Sequence, residues 1–324
     1  MKNLGIICGG FSSEHEISLK SANTILKHLP DAYTGYKIVL SAQGWLVNHR
    51  STHGFFDLNT GVIRFEDETS VHLAGAIIYI HGNPGENGKI QALLDMLNIP
   101  YANANVLSSA LSFDKWYCNQ FLKSFGIPVA NSVLLKVDED INEEELIQTL
   151  GLPIFVKPTD SGSSYGISKV KKAEDLRSAI DTAFKEGRTI VLESFLNGIE
   201  VTCGVYRNNT ELTALPLTEI VSENEFFDYE AKYQGKSNEI TPARISAELT
   251  SNIQKEAKRI YQLLNLKSIA RIDFMLVGET PYVIEVNTTP GFSAESIVPK
   301  MLAEAGISIT SFWETIIETE LILS

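Results

Sequence analysis

Two segments decide the fold, Ala270-Arg271-Ile272-Asp273-Phe274 and Tyr282-Val283-Ile284-Glu285-Val286-Asn287-Thr288-Thr289-Pro290-Gly291. In each segment polar and apolar residues alternate, which is the period of a β-strand with one polar face. The short turn Gly278-Glu279-Thr280-Pro281 between them indicates that the two strands are neighbours in one sheet. We therefore predict a β-hairpin with one polar face that runs into a Pro-Gly turn.

The polar face of this hairpin carries the strongest chemical cluster in the sequence. Asp273, Glu285 and Asn287 would bring three oxygen ligands to one patch, with Arg271 beside them. Oxygen ligands at this density suit Mg²⁺, which binds few protein groups and takes its other ligands from waters and nucleotide phosphates. The following turn, 288–291, can aim backbone N–H groups at an anion bound to the metal. The alternative is an exposed hairpin with a surface Arg271–Asp273 ion pair.

A second cluster lies upstream, at Phe155-Val156-Lys157-Pro158 followed by the Gly/Ser-rich loop 159–166. This pattern predicts a phosphate-binding site, because it places a lysine at the end of an apolar strand next to a flexible loop with amide and hydroxyl donors. The alternative is a solvated hairpin turn. The nearest approach to a Walker A motif, Gly88-Lys89, lacks the earlier glycine and the following Ser or Thr. Gly162-Ser163-Ser164-Tyr165-Gly166 matches the nucleophile elbow of serine hydrolases, but all six histidines precede Ser164, whereas that fold needs one after it.

The first hundred residues alternate strand and helix patterns. Strands are predicted at 4–8, 36–40 and 76–80, and helices at 17–29 and 89–97. This order predicts a parallel βαβ domain, whose functional loops should lie at the carboxyl ends of its strands. Those loops are 9–14 and 81–88.

Acidic and histidine side chains in these two loops are candidate site residues. Ser13 with Glu16 predicts a capping box at the start of the first helix. Glu14 either complements the dipole of that helix or binds a substrate ammonium group. His81 and Glu86 stay ambiguous by themselves, because a lone loop histidine is more often structural than catalytic.

The rest of the chain reads as two further units. Helices are predicted at 110–125, 142–150, 173–187 and 245–264, strands at 153–157, 167–170, 189–195, 199–206, 269–277 and 282–286, and two helices finish the chain. The polar, aromatic loop 226–233 is too long for a plain linker and is expected to be a lid. The predicted domains are 1–98, 99–191 and 192–324.

Composition narrows the class of protein. With 27 basic and 40 acidic residues the formal net charge is −13, which disfavours nucleic acid as a partner. No apolar run approaches the roughly 18 to 20 residues of a membrane span, and the N-terminus does not resemble a signal peptide, so we expect a cytoplasmic protein without a membrane partner. Cys8, Cys118 and Cys203 form no CxxC pair, as expected in a reducing compartment.

Taken together, these motifs resemble the D-alanine-D-alanine ligase family of the ATP-grasp superfamily. The matching motifs run in order along nearly the whole chain: Gly9-Gly10 through Glu14-His15-Glu16-Ile17-Ser18-Leu19, His81-Gly82 through Gly88, Asp114-Lys115, Phe155-Val156-Lys157-Pro158 with Gly162-Ser163-Ser164, Glu193 with Glu200-Val201-Thr202, Asp228-Tyr229-Glu230-Ala231-Lys232-Tyr233, Arg271-Ile272-Asp273, and Glu285-Val286-Asn287-Thr288 with Pro290-Gly291. The resemblance implies an α/β ATP-grasp fold, with an N-terminal parallel βαβ domain that binds substrate and two α+β domains that sandwich ATP.

The resemblance also implies ligands for the nucleotide and the metal. ATP would be bound by a set of basic, hydroxyl and acidic side chains: Lys115, Lys157, Ser164, Glu193, Glu200 and Lys232. Within that set the lysines Lys115 and Lys157 would hold phosphates, Glu193 and its strand would meet the adenine, and Glu200 would bind the ribose. Two Mg²⁺ ions, for which Mn²⁺ could substitute, would be held by Asp273, Glu285 and Asn287.

Substrate roles follow from the same resemblance. A hydrogen-bonded triad of Glu14, Ser163 and Tyr233 would close the site, with Glu14 also facing the ammonium group of the first D-alanine. Arg271 and the amide of Gly291 would stabilise the oxyanion of the tetrahedral intermediate. The substrate-binding set would comprise His81, Lys232 and Ser296, the last two for the carboxylate of the second D-alanine.

The implied reaction is the ATP-dependent ligation of two D-alanines through an acyl phosphate, for peptidoglycan precursors, by a homodimer. The sequence departs from the usual family pattern at Phe227, Asn87 and Phe292-Ser293, where Tyr, Asp and Met-Thr are common. Tyr233 is kept, which favours the dipeptide over an ester product. Two alternatives stay open: an ATP-grasp ligase with another acceptor, such as D-lactate or D-serine, and a nucleotide-binding protein without catalysis.

Overall fold

The structure is a computed structural model that describes residues 1–160, 166–222 and 237–321. Three β-sheets organise this described part of the chain, and helices pack on each of them. None of the described helices has the length and apolar character needed to cross a membrane.

The elements of the described ranges are numbered in chain order. The helices are α1 (His15–Lys27), α2 (Lys89–Met96), α3 (Val106–Phe113), α4 (Lys115–Ser124), α5 (Glu143–Leu150), α6 (Leu176–Ala183), α7 (Ala247–Leu263), α8 (Ile297–Glu304) and α9 (Ile309–Leu321), with a 3-10 turn at Ala173–Asp175. The strands are β1 (Lys2–Gly9), β2 (Tyr33–Ser41), β3 (Gly44–His49), β4 (Thr52–Asp57), β5 (Val62–Phe65), β6 (Ser70–His72), β7 (Gly75–Ile78), β8 (Tyr101–Ala102), β9 (Ser132–Lys136), β10 (Ile154–Pro158), β11 (Ser168–Val170), β12 (Thr189–Ser194), β13 (Ile199–Asn208), β14 (Glu211–Ala214), β15 (Thr218–Ser222), β16 (Ser237–Ile240), β17 (Ile269–Val277) and β18 (Thr280–Asn287).

The first sheet has the strand order β6-β5-β4-β3-β2-β1-β7-β8. Strands β2, β1, β7 and β8 are parallel, and all of them except β8 were predicted, so the loops after β1 and β7 meet at one edge of the sheet. The antiparallel strands β3 to β6 extend this sheet beyond β2 and were not predicted. The first sheet is therefore mixed: the predicted parallel βαβ arrangement is confirmed, and an antiparallel extension is added to it.

The other two sheets are antiparallel throughout and face each other across the site. The second has the order β11-β10-β12-β9, and the third the order β16-β15-β13-β17-β18, with β14 paired to β13. Helices α5 and α6 cover the second sheet, and α7 covers the third. The sheets span residues 2–102, 132–194 and 199–287, while the division into domains at 98 and 191 stays a prediction.

One apolar core joins the first sheet to the third. Tyr79 from the end of β7, Tyr206 from β13 and Phe292 from the turn after β18 all pack with Phe312 and Trp313 of α9. All five side chains are buried. Because burial of aromatic side chains is strongly stabilising, this core fixes the Phe292 turn against the N-terminal domain.

Two local predictions were wrong for reasons of capping. The helix predicted at 110–125 is divided at Asp114, which ends α3 and whose carboxylate accepts the N–H groups of Trp116 and Tyr117 at the start of α4. A side chain that satisfies these unpaired N–H groups starts a new helix. The predicted capping box is absent from α1, whose N-cap is Glu14 without a side-chain cap hydrogen bond. The predicted lid at 226–233 lies outside the described residues.

Candidate active site

The polar face of the β17–β18 hairpin forms the centre of the site. The register places Asp273 opposite Glu285 and Arg271 opposite Asn287, with a β-bulge between Asp273 and Phe274. The guanidinium of Arg271 donates two hydrogen bonds to the Asp273 carboxylate, both of 2.8 Å, and Asn287 Nδ2 donates a third of 2.9 Å. The structure thus brings together all four residues that the sequence pattern placed on one face.

A buried threonine completes the surroundings of Asp273. Thr202 lies directly opposite Asp273 on the neighbouring strand β13, and its hydroxyl donates to Asp273 Oδ1 over 2.5 Å. Sequence reasoning did not assign this residue a role. The signal was present, because Thr202 follows Glu200 by two residues and a strand places such residues on the same face.

Two lysines reach the site from different elements. Lys115, the first residue of α4, pairs with Glu285 of β18 at 3.2 Å. Lys157 of β10 pairs with Glu193 of β12 at 2.6 Å, and Asn119 of α4 donates to the other oxygen of Glu193 over 3.1 Å. Both lysines are largely buried, so each brings a desolvated positive charge to the space between the second and third sheets.

A narrow slot of about 130 Å³ lies between these two sheets. Its apolar walls include Phe155, Met275 and Val283, which suits a flat aromatic ring. Its polar lining consists mainly of side chains predicted to bind the nucleotide or the metal, with one hydroxyl besides: Lys115, Lys157, Glu193, Ser194, Glu200, Asp273 and Glu285. The slot therefore offers an apolar floor with charged groups around it.

A wider cleft of about 850 Å³ lies next to the slot, on the side of the N-terminal domain. Its lining includes five further predicted residues, namely Glu14, His81, Arg271, Gly291 and Ser296, together with Glu86. Glu285 lines both the cleft and the slot, so the two spaces meet at the polar hairpin.

The turn after β18 is held by side chains that follow strands β7 and β8 of the first sheet. Tyr79 donates its hydroxyl hydrogen to the Pro290 carbonyl over 3.0 Å, and Asn103 donates to the Thr289 hydroxyl over 3.0 Å. Glu86 accepts the Thr289 N–H through one carboxylate oxygen, over 3.1 Å, and the Gly82 N–H through the other, over 2.8 Å. The backbone of the turn is therefore fixed from a different domain than the strand that leads into it.

Burial changes the protonation of two groups beside this turn. Burial raises the pKa of Glu86 to about 7, the charges of Glu14 and Glu285 raise it further, and the N–H groups that it accepts oppose the shift. Burial lowers the pKa of His81, against the opposing effect of Glu14. His81 is therefore neutral at pH 7, and its two ring nitrogens contact Thr289 O at 2.9 Å and Ser21 Oγ at 3.3 Å.

The far end of the cleft has hydroxyl groups at the start of a helix. Ser296 is the N-cap of α8, and its Oγ accepts the Ser293 N–H over 3.0 Å and lies 2.8 Å from Ser293 Oγ. A Cβ on Gly291 would come within 3.0 Å of Ser296 Oγ, so the two residues are in close contact. A helix N-terminus with hydroxyl groups favours an anion such as a carboxylate.

Four predicted site residues lie outside the described ranges. They are Ser163 and Ser164 in the Gly/Ser loop and Lys232 and Tyr233 in the predicted lid. Their assignments stay predictions.

The donor set of the hairpin is compatible with a hard divalent cation. Within the described residues no group of three or more His, Cys, Asp and Glu side chains is arranged to hold a metal ion. The hairpin offers the carboxylates of Asp273 and Glu285 and the amide of Asn287, which leaves several coordination positions for phosphate oxygens and waters. This is the usual way in which Mg²⁺ binds together with a nucleotide.

An apolar slot between two antiparallel sheets, opening through a carboxylate hairpin onto a polar cleft, defines an enzyme of the ATP-grasp fold. Residues 3–104 match the family model described as D-ala D-ala ligase N-terminus, and residues 121–318 match the one described as D-ala D-ala ligase C-terminus. The chain belongs to the D-alanine-D-alanine ligase family.

Curated relatives and solved structures agree with this assignment. A D-alanine--D-alanine ligase of Parabacteroides distasonis is 45% identical over 323 residues, covering 99% of this chain and 98% of the relative. The crystal structure of the VanG D-Ala:D-Ser ligase from Enterococcus faecalis superposes with a TM-score of 0.87 at 29% identity, covering 98% of this chain and 99% of that one. The D-alanine--D-alanine ligase from Bacillus anthracis complexed with ATP has a TM-score of 0.81 at 30% identity, covering 100% and 98%. These matches confirm the predicted fold and family.

Proposed function

We propose that this chain joins two molecules of D-alanine into D-alanyl-D-alanine, with conversion of ATP to ADP and phosphate, as a step in peptidoglycan precursor synthesis. The observation that carries the proposal is the position of Glu285, which lines both the nucleotide-sized slot and the wider cleft. A nucleotide in the slot would present its terminal phosphate at this residue. A carboxylate in the cleft could then reach that phosphate.

The slot would hold the nucleotide. Phe155 and Met275 would contact the adenine, with Glu193 at its polar edge and Glu200 at the ribose. Lys115 and Lys157 would turn from their present carboxylate partners, or share them, to bind phosphate oxygens. Point charges of this kind are effective phosphate ligands in a desolvated site.

Two Mg²⁺ ions would be held by Asp273, Glu285 and Asn287. Bound there, they would neutralise the charge of the phosphates during transfer. The Thr202 hydroxyl and the Arg271 guanidinium hold the Asp273 carboxylate in a fixed orientation. A carboxylate that is already oriented needs less rearrangement when a cation binds.

The cleft would hold the first D-alanine. Its ammonium group would face Glu14, and its carboxylate would attack the terminal phosphate of ATP to form an acyl phosphate and ADP. Arg271 and the N–H of Gly291 would then stabilise the oxyanion that forms when the neutral amine of the second D-alanine attacks the acyl carbon. This tetrahedral intermediate loses a proton from its nitrogen and expels phosphate, which leaves the peptide bond. Positioning and charge stabilisation supply most of the acceleration in phosphoryl transfer.

The second D-alanine would bind at the far end of the cleft. Ser296 and the N-terminus of α8 would bind its carboxylate, together with Lys232. Ser163 and Tyr233 would join Glu14 in the triad that closes the site, and Ser164 would contact the phosphates. Closure matters because an acyl phosphate is readily hydrolysed by water.

We expect the enzyme to act as a homodimer in the cytoplasm, with Mn²⁺ able to replace Mg²⁺. Acceptor choice is a separate question, because one solved structure of similar fold is a D-Ala:D-Ser ligase. D-serine and D-lactate therefore belong in any test of the function.

The test is ADP release by the purified protein with MgATP and D-alanine, L-alanine or no amino acid, followed by mass spectrometry of the product. We expect turnover with D-alanine alone and a product with the mass of the dipeptide. A panel with D-serine or D-lactate as added acceptor checks specificity: a dominant mixed product would assign another acceptor. MgATP binding without turnover on any acceptor would instead identify a binding protein and overturn the proposal.

A further inference from the structure

A chain of hydrogen bonds connects helix α1 to the turn that carries Gly291. The Phe292 N–H donates to the Ser21 hydroxyl oxygen over 3.3 Å, and Ser21 Oγ lies 3.3 Å from His81 Nε2. His81 Nδ1 in turn lies 2.9 Å from the carbonyl oxygen of Thr289. Ser21, His81, Thr289 and Phe292 are all buried.

The donor and acceptor roles in this chain follow from chemistry. A carbonyl oxygen only accepts, so Nδ1 of His81 must carry the hydrogen that points at Thr289. In the neutral ring Nε2 is then an acceptor, and the Ser21 hydroxyl donates to it while accepting from Phe292 N–H. Only one assignment of donors and acceptors satisfies every group in this chain, and it holds the imidazole in the Nδ1–H tautomer.

The two ends of the chain enclose the predicted oxyanion donor. Thr289 and Phe292 lie on either side of the Pro290–Gly291 pair, and the Pro290 carbonyl between them accepts from the Tyr79 hydroxyl. In the described parts of the chain the hydrogen bonds of the turn are made by residues around Gly291, whereas Gly291 N–H donates to no protein group. The amide is therefore oriented by its neighbours.

We propose that Ser21 is a positioning residue of the ligase reaction, which acts through His81 to set the direction of the Gly291 N–H. For His81 we propose the same positioning role in place of the substrate contact that the family resemblance implied, because protein groups engage both of its ring nitrogens. The proposal rests on the proposed function, in which Gly291 stabilises the oxyanion. A misdirected oxyanion donor lowers the rate of the chemical step and leaves nucleotide binding unchanged.

The first test compares Ser21→Ala with Ser18→Ala. Ser18 is an equally buried serine of α1, but its hydroxyl accepts from Gly9 N–H and donates to the backbone carbonyl of Tyr79, and it makes no hydrogen bond to His81 or to residues 289–292 in the described part of the chain. We expect Ser21→Ala to lower kcat about tenfold, because a misplaced donor slows the chemical step. The Kd for MgATP should be unchanged. Ser18→Ala should lower the melting temperature about as much as Ser21→Ala does, but it should keep the kcat of the wild type. Equal kcat in the two variants would overturn the proposal.

A second test uses the geometry of amide side chains, and it keeps the proposal testable if Ser21→Ala does not fold. An asparagine at position 81 can place its N–H₂ near the position of Nδ1 and restore the bond to Thr289 O, whereas a glutamine reaches the position of Nε2. We therefore expect His81→Asn to retain several times the kcat of His81→Gln, with similar KM values for D-alanine. Equal loss in both variants, or a loss confined to KM, would indicate direct substrate binding by His81 and would contradict the proposal.

The pH dependence gives a third readout. The charged and titratable groups that face His81 are Glu14 and Arg271, with Tyr79 against its ring and Glu86 behind Thr289. A protonated Nε2 would point its hydrogen at the same Ser21 oxygen that accepts the Phe292 N–H, so the Ser21 hydroxyl disfavours protonation of His81. Loss of this hydroxyl should therefore move the acidic limb of the kcat profile to higher pH. An unmoved limb would count against the relay. If the wild-type protein bound MgATP but released no ADP with D-alanine, the proposed function would fail instead, which the wild-type control detects.

Discussion

Among the described residues, Glu285 is the one that lines both the slot and the cleft, the proposed sites of nucleotide and substrate. Replacement by glutamine keeps its size and removes its charge, so Mg²⁺ and the paired Lys115 lose a partner. We expect Glu285→Gln to lower kcat by at least about a hundredfold, in line with the loss of one strong electrostatic interaction at the reacting group. The measurement is ADP release over a Mg²⁺ titration.

The same hairpin supplies the control. Glu279 lies exposed in the turn between β17 and β18, so Glu279→Gln changes the net charge equally without touching the site. It should have the kinetics of the wild type. Wild-type activity in Glu285→Gln would remove the metal assignment.

Glu86 should make stability depend on pH. In the unfolded chain a glutamate ionises near a pKa of about 4.3, while burial raises the pKa of the folded-state carboxyl to about 7. The folded state therefore binds the proton more tightly, so Glu86 favours folding at pH 4, and this contribution is lost as the pH rises to about 7. The lost contribution is up to about 4 kcal/mol, because each tenfold difference in proton affinity between the two states corresponds to about 1.4 kcal/mol.

The check is the melting temperature of Glu86→Gln relative to wild type at pH 5 and pH 8 without ligands. Glutamine cannot ionise, so the melting temperature of the variant should rise relative to that of the wild type between pH 5 and pH 8. The exposed Glu66 of the same sheet, replaced by glutamine, should show little pH-dependent difference. A constant difference for Glu86→Gln would mean that this carboxyl is ionised in both states at pH 5.

Residue patterns predicted the hairpin cluster because its strands keep a two-residue period over 271–273 and 285–287, beside the β-bulge. Asp273, Glu285 and Asn287 meet at one patch since a two-residue period fixes which side chains share a face. Ser21 had no such signal. Its role depends on contacts with His81 and Phe292, which are 60 and 271 residues away along the chain, and no local pattern encodes them.

At the scale of elements, helix α7 is the clearest test of local sequence rules. Ser246 is its N-cap, and the hydroxyl accepts the Leu249 N–H over 3.2 Å. Ser246→Ala should lower the free energy of unfolding by about 1 kcal/mol, the usual effect of removing a helix cap. Thermal melting measures this, with the exposed Ser251→Ala in the same helix as control. Because α7 packs on the outer face of the third sheet, kcat should be unchanged; equal melting temperatures for the two variants would contradict the capping role.

The long amphipathic helix α7 could be predicted from sequence, but strands β3 to β6 could not. The predicted 245–264 helix agrees with α7 to within two residues at each end. Strands β3 to β6 were missed because they are only three to six residues long and have one exposed face. Their register depends on pairing with β2, which is a tertiary interaction rather than a local preference.

At the scale of the whole molecule, the aromatic core around α9 connects the first sheet to the turn after the β17–β18 hairpin. Trp313 packs against Phe292 at 5.0 Å and against Tyr79 at 5.9 Å between ring centroids, and it is fully buried. Phe292 directly follows Gly291. The position of the Gly291 amide therefore depends on a core that is built from three distant parts of the chain.

Truncation of this core should affect stability and catalysis together. Trp313→Ala should lower the free energy of unfolding by about 3–5 kcal/mol, as for other large-to-alanine changes in cores. At temperatures where the variant is still folded, its kcat should also be lower, because Phe292 loses a packing partner. Trp313→Phe is the matched control. It keeps an aromatic ring and removes an indole N–H that finds no partner in the described part of the chain, so part of its packing loss is offset. Melting curves and ADP release on both variants give the answer: if Trp313→Ala lost stability but kept the wild-type kcat while folded, the core would join the domains without positioning the turn.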